Sequence, residues 1–308
     1  MVAIGKIDLE EINKILNKNN EVMLKGNRIG SDFTFLSRGR INIIFKIEPM
    51  VFYDFLTPKE NAVLSVLFPM NDFLTSGTWP SIAMMDFERP SRAGREYFDY
   101  MGHVFEILKE RKIKVASGHT GWYGNLGYGV AGTMALLGFK RPVFSFKRLK
   151  SRDLFYSVGN IGKELLYFSN RKNKGGNGIE PLELSIEKYI AQLIRHRKIV
   201  HYVHDISEGG LLRALQEICI LGDIGFNINS SDLRRTIPRG IKYFSSSIFS
   251  ASSSGAIIVS VDPSGKNEFK KIMKDNSWPF IEIEKRNKGV TLDGRKKGRN
   301  DRIADILR

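Results

Sequence analysis

The segment that most constrains the fold is HDISEGGLLRALQEI, residues 204–218. A strand-like run ends in the acid Asp205, and the pair Gly209-Gly210 then opens a helix with apolar residues at helical spacing. Paired glycines at a helix start let backbone amides approach an anion, and an adjacent aspartate can hold the metal that accompanies phosphate. A simpler interpretation is that Asp205 or Ser207 caps the helix while the glycines make a tight turn. The segment predicts a strand–turn–helix unit and leaves both interpretations open.

Strand-like and helix-like stretches alternate through the first half of the chain. Short runs of β-branched and aromatic residues predict strands, and Glu48-Pro49 predicts a turn between two of them. Thr57-Pro58 supplies a cap and a first-turn proline for the first long helix. This alternation indicates an α+β fold with a mixed sheet, not an all-β sandwich. The predicted order is strands at 41–47 and 50–56, a helix at 59–73, a strand at 78–88, a helix at 93–111, and strands at 113–118 and 127–138.

A basic, polar stretch at 142–152 separates this half from a second alternating half. We therefore predict two domains, 1–144 and 145–308. Two segments have the composition of mobile loops, 170–178 and the Ser-rich 245–254, although the second abuts a strand and is also compatible with order. In the second half we predict a strand from 154, a helix at 185–197, a strand at 199–204, a helix at 210–221 and a strand from 255.

Composition excludes some classes of protein without choosing a function. The chain of 308 residues is 42% hydrophobic and 26% charged, which is typical of a folded globular protein. Its net charge of +15 attracts polyanions such as nucleotides, RNA or an anionic membrane surface, and a solvated basic surface is the simpler interpretation. The one cysteine, Cys219, cannot form an internal disulfide, and the sequence has no uninterrupted apolar run of about 18 residues. We therefore expect a cytoplasmic protein with no membrane anchor.

Three further segments place acids, glycines or histidine beside predicted elements. Residues 28–36 set Asp32 two residues after Gly30, residues 71–87 put Asn71-Asp72 at a helix end, and residues 117–121 read SGHTG after a strand. In this order and spacing, the four segments resemble the superfamily of aminoimidazole ribonucleotide (AIR) synthetase. That superfamily also contains formylglycinamidine ribonucleotide synthetase, thiamine-monophosphate kinase, selenophosphate synthetase and the hydrogenase maturation protein HypE. The resemblance runs from about residue 30 to residue 285.

The resemblance implies the two-domain AIR-synthetase-like α+β fold, with an N-terminal mixed α/β domain that dimerises through its sheet and a C-terminal α/β domain. It also implies a site, because members of this superfamily hold ATP and magnesium against acids from several loops. The implied metal ligands are Asp32, Asp54, Asp72 and Asp205. The implied catalytic residues are Asp205 and His119. The implied cofactor-binding residues are Asp32, Asp54, Asn71, Asp72, Gly118, Thr120, Gly209 and Gly210.

The chain departs from the superfamily pattern at several of these positions. Ser31 stands where a GDDAA-like segment has its first acid, and Ser117-Gly118 replaces the usual Gly-Gly before His119. Each carboxylate lost weakens the binding of a hard, oxygen-seeking cation. The alternative for the whole acidic set is an inherited scaffold whose acids only cap helices or pair with Lys and Arg. The segments point to different subfamilies, so the subfamily is left open.

The leading prediction is an ATP- and Mg-dependent enzyme that phosphorylates or activates an oxygen of a small-molecule substrate, acting as a homodimer. The alternative is a catalytically degenerate member that serves as a basic binding or scaffold protein for RNA or an acidic partner. Ser31 and the basic tail at 285–308 motivate that alternative. Nucleic acid is the less favoured partner, and the substrate is not identified because the loops at 121–127 and 170–178 match no subfamily.

Two histidines, the cysteine and an aromatic pair carry weaker signals. His201 and His204 lie three apart on a predicted strand, so their side chains point to opposite faces and a joint metal site is not expected. Cys219 lies on an apolar helix face and is expected to be a buried small hydrophobe, not a nucleophile. Trp122-Tyr123 fits a stacking platform and a lid over the core edge equally well.

Overall fold

A computed structural model of the chain describes residues 9–18, 24, 28, 30–122, 129–173, 178–238, 241 and 246–295. The elements of the first half are α1 Leu9–Lys18, β1 Thr34–Arg38, β2 Ile41–Phe52, α2 Pro58–Leu74, β3 Ile82–Arg89, α3 Glu96–Glu110, β4 Lys114–Trp122 and β5 Gly129–Gly138. Those of the second half are β6 Leu154–Val158, α4 Lys163–Lys172, α5 Glu187–Leu193, β7 Val200–Asp205, α6 Gly210–Gly222, β8 Gly225–Ile228, α7 Ser230–Leu233, β9 Ile257–Val261, α8 Lys266–Asp275, β10 Phe280–Arg286 and β11 Val290–Leu292.

Each half builds its own sheet. The first sheet has five strands in the order β1-β2-β5-β3-β4, antiparallel except for the β3–β4 pair. The second has six strands in the order β11-β8-β10-β6-β9-β7, antiparallel except for the β8–β11 pair. The predicted α+β class with mixed sheets is confirmed. The division at 144/145 falls in the connection between β5 and β6 and stays a prediction.

Helix α2 is the element that joins the two halves. It begins with a complete capping box, in which the Thr57 side chain accepts from the Glu60 amide while Glu60 accepts from the Thr57 amide. Nearly every residue from Asn61 to Leu74 is buried, because α2 packs on β2, on α3 and on the second half. Near its end, Asn71 Nδ2 donates to the Leu184 carbonyl at 2.9 Å, and Asn71 Oδ1 accepts from the Ile186 amide at 3.1 Å. One apolar core then runs through both halves.

Two local predictions are wrong, for reasons that lie in strand pairing. Residues 41–52 form the single strand β2, not two strands around a turn, because the register against β5 shifts between Pro49 and Val51. A bulge is a place where a strand accommodates proline, which has no amide to donate. The SGHTG segment lies inside β4, not after it, because β4 pairs with β3 as far as Trp122.

The structure treats the two segments predicted as mobile loops differently. Helix α4 extends to Lys172, and residues 174–177 lie outside the described residues. From residue 246 the Ser-rich segment forms a short 3-10 helix followed by buried serines at 252–254, which agrees with an ordered segment. Among the described residues, no helix combines the length and apolarity needed to cross a membrane.

Candidate functional site

A cleft lies between the two halves. The end of β2, the last turns of α2 and β5 form one wall, and α4, the β7–α6 turn and the Ser-rich segment form the other. Its volume of about 170 Å³ is below the roughly 300–1,000 Å³ of typical small-molecule sites, so it has room for part of a nucleotide only. The lining residues are Glu48, Pro49, Val51, Tyr53, Phe68, Asp72, Val130, Glu164, Asp205, Ser207, Glu208, Ser252 and Ser254.

The cleft is acidic although the chain is strongly basic. Five of its lining residues are Asp or Glu, and within the described part of the chain no Lys or Arg lines it. The chain as a whole carries a formal charge of +15. A concave surface lined by one sign of charge concentrates its field, so this cleft attracts cations.

Two of the predicted metal ligands meet at the edge of this cleft. Asp205 ends β7, and its amide donates to Oδ2 of Asp32 at 3.2 Å. Both residues are buried. The chain before Asp32 approaches α6 closely at Gly30, where an added Cβ would lie 3.0 Å from Cβ of Glu217. Folding therefore joins two acids that stand 173 positions apart in the sequence.

His204 lies against both of these acids. Its Nδ1 is 2.8 Å from the Asp205 carbonyl oxygen, 3.1 Å from Oδ1 of Asp32 and 3.7 Å from Oδ1 of Asp205. Its Nε2 is 3.4 Å from Oε2 of Glu217, whose other oxygen accepts from Nε of Arg213 at 2.9 Å. Sequence reasoning considered His204 only for a joint metal site with His201, and it did not select Glu217. Only the position of His204 next to Asp205 could have signalled the former.

Two buried polar atoms beside these acids have no hydrogen-bond partner among the described residues. They are the Tyr202 hydroxyl oxygen and Nε2 of His204. Burial, together with the charges of Asp32, Glu217 and Asp205, holds the pKa of Tyr202 well above its ordinary value, so the hydroxyl keeps its proton. Unsatisfied buried polar groups are few in folded proteins, and they are frequently found where an ion or water binds.

Asp72 lines the cleft from the last turn of α2 and contacts the ammonium of Lys46. Lys46 Nζ is also 2.6 Å from Oε1 of Glu48. Burial lowers the pKa of Lys46, but the neighbouring Asp72 and Glu48 carboxylates raise it more, so its net pKa is above the ordinary value. A fixed positive charge therefore balances part of the acidic wall.

An aromatic surface faces the acids of the second half. The Tyr53 ring stacks on Phe55 at 5.4 Å and meets the edge of Phe168 at 5.3 Å. Burial, followed by the Glu164 and Glu208 charges, raises the pKa of Tyr53. Oε2 of Glu164 accepts from the Ser254 amide at 3.0 Å, which fixes this acid to the Ser-rich segment. The polar and aromatic cleft residues that sequence reasoning did not identify as site residues are Glu48, Tyr53, Phe68, Glu164, Ser207, Glu208, Ser252 and Ser254.

The glycine pair shapes the turn beside the cleft. Gly209 and Gly210 have φ of +84° and +62°, the left-handed region that favours glycine. A Cβ on Gly210 would lie 2.6 Å from the carbonyl oxygens of Phe249 and Ala251. Neither glycine lines the cleft, so their contribution in the structure is to let α6 start directly against the Ser-rich segment.

The other predicted site residues lie elsewhere. Asp54 is exposed in the turn after β2 and does not line the cleft. Asn71 is buried and engaged with the second half. Gly118, His119 and Thr120 lie on β4, an exposed edge strand, and the structure of the single chain does not bring them to the cleft. Thr120 instead borders a separate groove beside Arg89 and Trp122.

His201 belongs to a different cluster, as expected for residues on opposite faces of a strand. Its Nδ1 is 2.9 Å from Oδ2 of buried Asp153, and its Nε2 is 3.4 Å from Nζ of Lys150. Lys150 Nζ also lies 3.6 Å from Oδ2 of Asp262. An ammonium thus occupies the position between the imidazole and the second carboxylate, where a metal ion would otherwise bind.

Cys219 is partly buried and packs against the apolar core of the second half. Burial raises the pKa of its thiol to about 12. A thiol that stays protonated at neutral pH is a poor nucleophile, which agrees with the predicted packing role.

Residues 164–283 match the family model described as AIR synthase related protein, C-terminal domain. Among curated proteins, phosphoribosylformylglycinamidine synthase subunit PurL of Bartonella bacilliformis is 24% identical over 208 residues, covering 64% of this chain and 27% of the relative. The PurL subunit of Synechococcus sp. is 30% identical over 139 residues, covering 42% and 17%. The chain spans roughly a quarter to a third of the length of the first relatives that it matches.

Solved structures give the same fold over nearly the whole chain. The HypE-HypF complex structure aligns with a TM-score of 0.68 at 17% identity, covering 93% of this chain and 99% of the other. A ThiL structure complexed with AMPPCP and TMP gives 0.68 at 14% identity, covering 96% and 98%. Thermotoga maritima PurL complexed with FGAR gives 0.64 at 16% identity, covering 90% and 48%. Identities this low show a shared fold alone.

Proposed function

We propose that this chain is a member of the AIR-synthetase-like superfamily and an ATP- and Mg-dependent enzyme that phosphorylates or activates an oxygen of a small-molecule substrate. The support from relatives is that the chain is similar to a synthase subunit and has the fold of thiamine-monophosphate kinase, one of whose structures contains AMPPCP.

The observation that carries the proposal is the meeting of Asp32 and Asp205 beside a cleft that Asp72 also lines. Carboxylate oxygens are the ligands that Mg²⁺ prefers. The orphaned Tyr202 hydroxyl beside them fits a site that binds a hydrated ion. The donor set therefore fits magnesium, and we propose Asp32, Asp72 and Asp205 as its ligands.

Phosphoryl transfer needs positioning and charge stabilisation more than covalent help from the protein. A bound magnesium ion would neutralise phosphate oxygens. The protein's part is to hold the acids in place: the Asp205 amide fixes Asp32, and Lys46 fixes Asp72. Ser207, Ser252 and Ser254 offer hydroxyl groups to phosphate oxygens. Since no Lys or Arg lines the described cleft, we expect the nucleotide to bind only together with its metal.

We further propose a homodimer formed through the first sheet. Ile47, Met84, Val115 and Val130 are large apolar residues of this sheet that are exposed in the single chain. The edge strand β4, which carries His119, is exposed along almost its whole length. Light scattering behind size exclusion tests this proposal: the parent chain should be dimeric and Met84→Lys monomeric, and a monomeric parent chain would contradict it.

The nucleotide site is tested by thermal shift with Mg-ATP, Mg-ADP and a non-hydrolysable analogue, each repeated with EDTA. Ligand at one hundred times its Kd stabilises a protein by about 2.7 kcal/mol, so saturating nucleotide should raise the Tm only when magnesium is present. No shift with any of the three would contradict the proposal. Binding to RNA at low salt would then favour the scaffold alternative.

Two substitutions test the contribution of Asp205 to the site. Asp205→Asn keeps the size of the side chain but removes its charge, so it should abolish Mg-dependent binding while leaving the Tm of the free protein nearly unchanged. Asp205→Ala should also lose binding; because Gly209, and not Asp205 or Ser207, occupies the N-cap position of α6, no loss of stability from helix capping is expected. Asp54→Asn is the matched control. Asp54 is exposed and lies outside the cleft, so this substitution should leave Mg-dependent nucleotide binding unchanged. An Asn variant that binds Mg-ATP like the parent would remove Asp205 from the site.

A further inference from the structure

We propose that the ammonium of Lys46 takes the place of a second metal ion, so that the site of Asp32, Asp72 and Asp205 binds one divalent ion per chain. The inference rests on the proposed function, since it fixes the number of ions at the same acids and names the group that supplies further positive charge. Two-metal sites for phosphoryl transfer hold two ions about 3.5–4 Å apart. In this chain one of those two cations would belong to the protein itself.

Lys46 lies between two acids that come from different elements. It precedes Glu48 by two residues on β2, so the two side chains leave the same face of the strand. Its Nζ is 2.6 Å from Oε1 of Glu48 and also contacts Oδ2 of Asp72, which belongs to the last turn of α2. Both acids line the cleft. One cationic atom therefore holds carboxylates from two elements together, as a metal ion between them would.

The positive charge of Lys46 is fixed. Its side chain is 15% exposed and that of Asp72 is 9% exposed. Burial lowers the pKa of Lys46, but the Asp72 and Glu48 carboxylates raise it more, so the net pKa lies above the ordinary value. Salt screens such buried charges much less than exposed ones. A divalent ion brought to the same two oxygens would meet this ammonium and be repelled by it.

Lys46 divides the acids between two cations. It contacts Oδ2 of Asp72, so we assign Oδ1 of Asp72 to the ion that Asp32 and Asp205 hold. Glu48 then balances the ammonium and not a metal ion. EDTA would remove the ion but not Lys46, so part of the positive charge beside the acids stays in the chain when the metal is absent.

The test is a count of bound Mn²⁺ per full chain, with Mn²⁺ as the only added ligand and free Mn²⁺ measured by electron paramagnetic resonance. The parent should bind one ion. Lys46→Met removes the ammonium and leaves Asp72 and Glu48 together, so it should bind two. Lys46→Met combined with Glu48→Gln should return to one, because the second ion loses a carboxylate. Lys109→Met is the matched control, since Lys109 is exposed on α3, and it should bind one.

Two ions in the parent, or a single ion in folded Lys46→Met, would overturn the inference, and so would a parent that binds no Mn²⁺. Circular dichroism checks folding. If Lys46→Met does not fold, Lys46→Gln, whose amide can still donate to a carboxylate, takes its place with the same expected count of two. The Mg-nucleotide thermal shift on the same preparations separates this failure from that of the proposed function. A Tm that rises with Mg-ATP, in a parent that binds two Mn²⁺, would remove only the role of Lys46.

Discussion

The close contact between Gly210 and the Ser-rich segment allows a quantitative test. In Gly210→Ala, the added Cβ would lie 2.6 Å from two backbone carbonyl oxygens, those of Phe249 and Ala251. Backbone atoms of a packed segment cannot rotate away as a flexible side chain can. Gly39 offers a matched control, because its φ of +61° is close to the +62° of Gly210, yet no described atom lies within 4 Å of a Cβ there.

The two substitutions share one cost and differ in another. Placing a non-glycine residue in the left-handed region costs about 1–2 kcal/mol, which applies to both positions. Forcing extra volume into a packed core costs about 1–3 kcal/mol more, which applies to Gly210 alone. We therefore expect Gly39→Ala to lose about 1–2 kcal/mol and Gly210→Ala about 2–5 kcal/mol of unfolding free energy.

Urea unfolding followed by circular dichroism measures both losses, with equal m-values required for a fair comparison. The Mg-nucleotide thermal shift should also fall in Gly210→Ala and stay at the parent value in Gly39→Ala, since Ser252 and Ser254 of the displaced segment line the cleft. If Gly210→Ala costs no more than Gly39→Ala, the start of α6 does not pack on the Ser-rich segment as described, and the argument for the glycine pair is wrong.

Two further predictions concern buried polar contacts. Asn71→Ala should cost about 2–4 kcal/mol in urea unfolding, because the Leu184 carbonyl and the Ile186 amide each lose a buried partner; a loss below about 1 kcal/mol would contradict this. Lys46→Met should cost about 3 kcal/mol, because the buried Asp72 and partly buried Glu48 lose their cation, and millimolar Mg²⁺ should restore part of that stability; an unchanged free energy of unfolding without Mg²⁺ would refute it.

Local patterns in the sequence predict most of the elements but not how far each strand extends. The helix predicted at 59–73 is confirmed as Pro58–Leu74, because its cap and first-turn proline are local signals. The length of β2 depends on pairing with β5 across a bulge, which no local pattern encodes. The same holds for β4, where pairing with β3 extends the strand through a glycine-containing segment that reads as a loop.

The site residues, too, were only partly predictable from the sequence. Motif resemblance selects Asp32 and Asp205, and the structure joins them. It also selects Asp54, which the fold leaves on the surface. The predicted set lacks His204, because the sequence analysis compared it only with His201 on the same strand. Its contact with Asp32, which comes from a distant part of the sequence, depends on the fold.

The last turn of α2 couples the relative movement of the two halves to the shape of the cleft. Asn71 fastens this turn to the second half of the chain, and its neighbour Asp72 faces the cleft. A hinge movement that widened the cleft would strain the Asn71 contacts and displace Asp72 in the same step. Ligand release and relative movement of the two halves would then share one barrier, so the residence time of a bound molecule would report on the rigidity of this single helical turn.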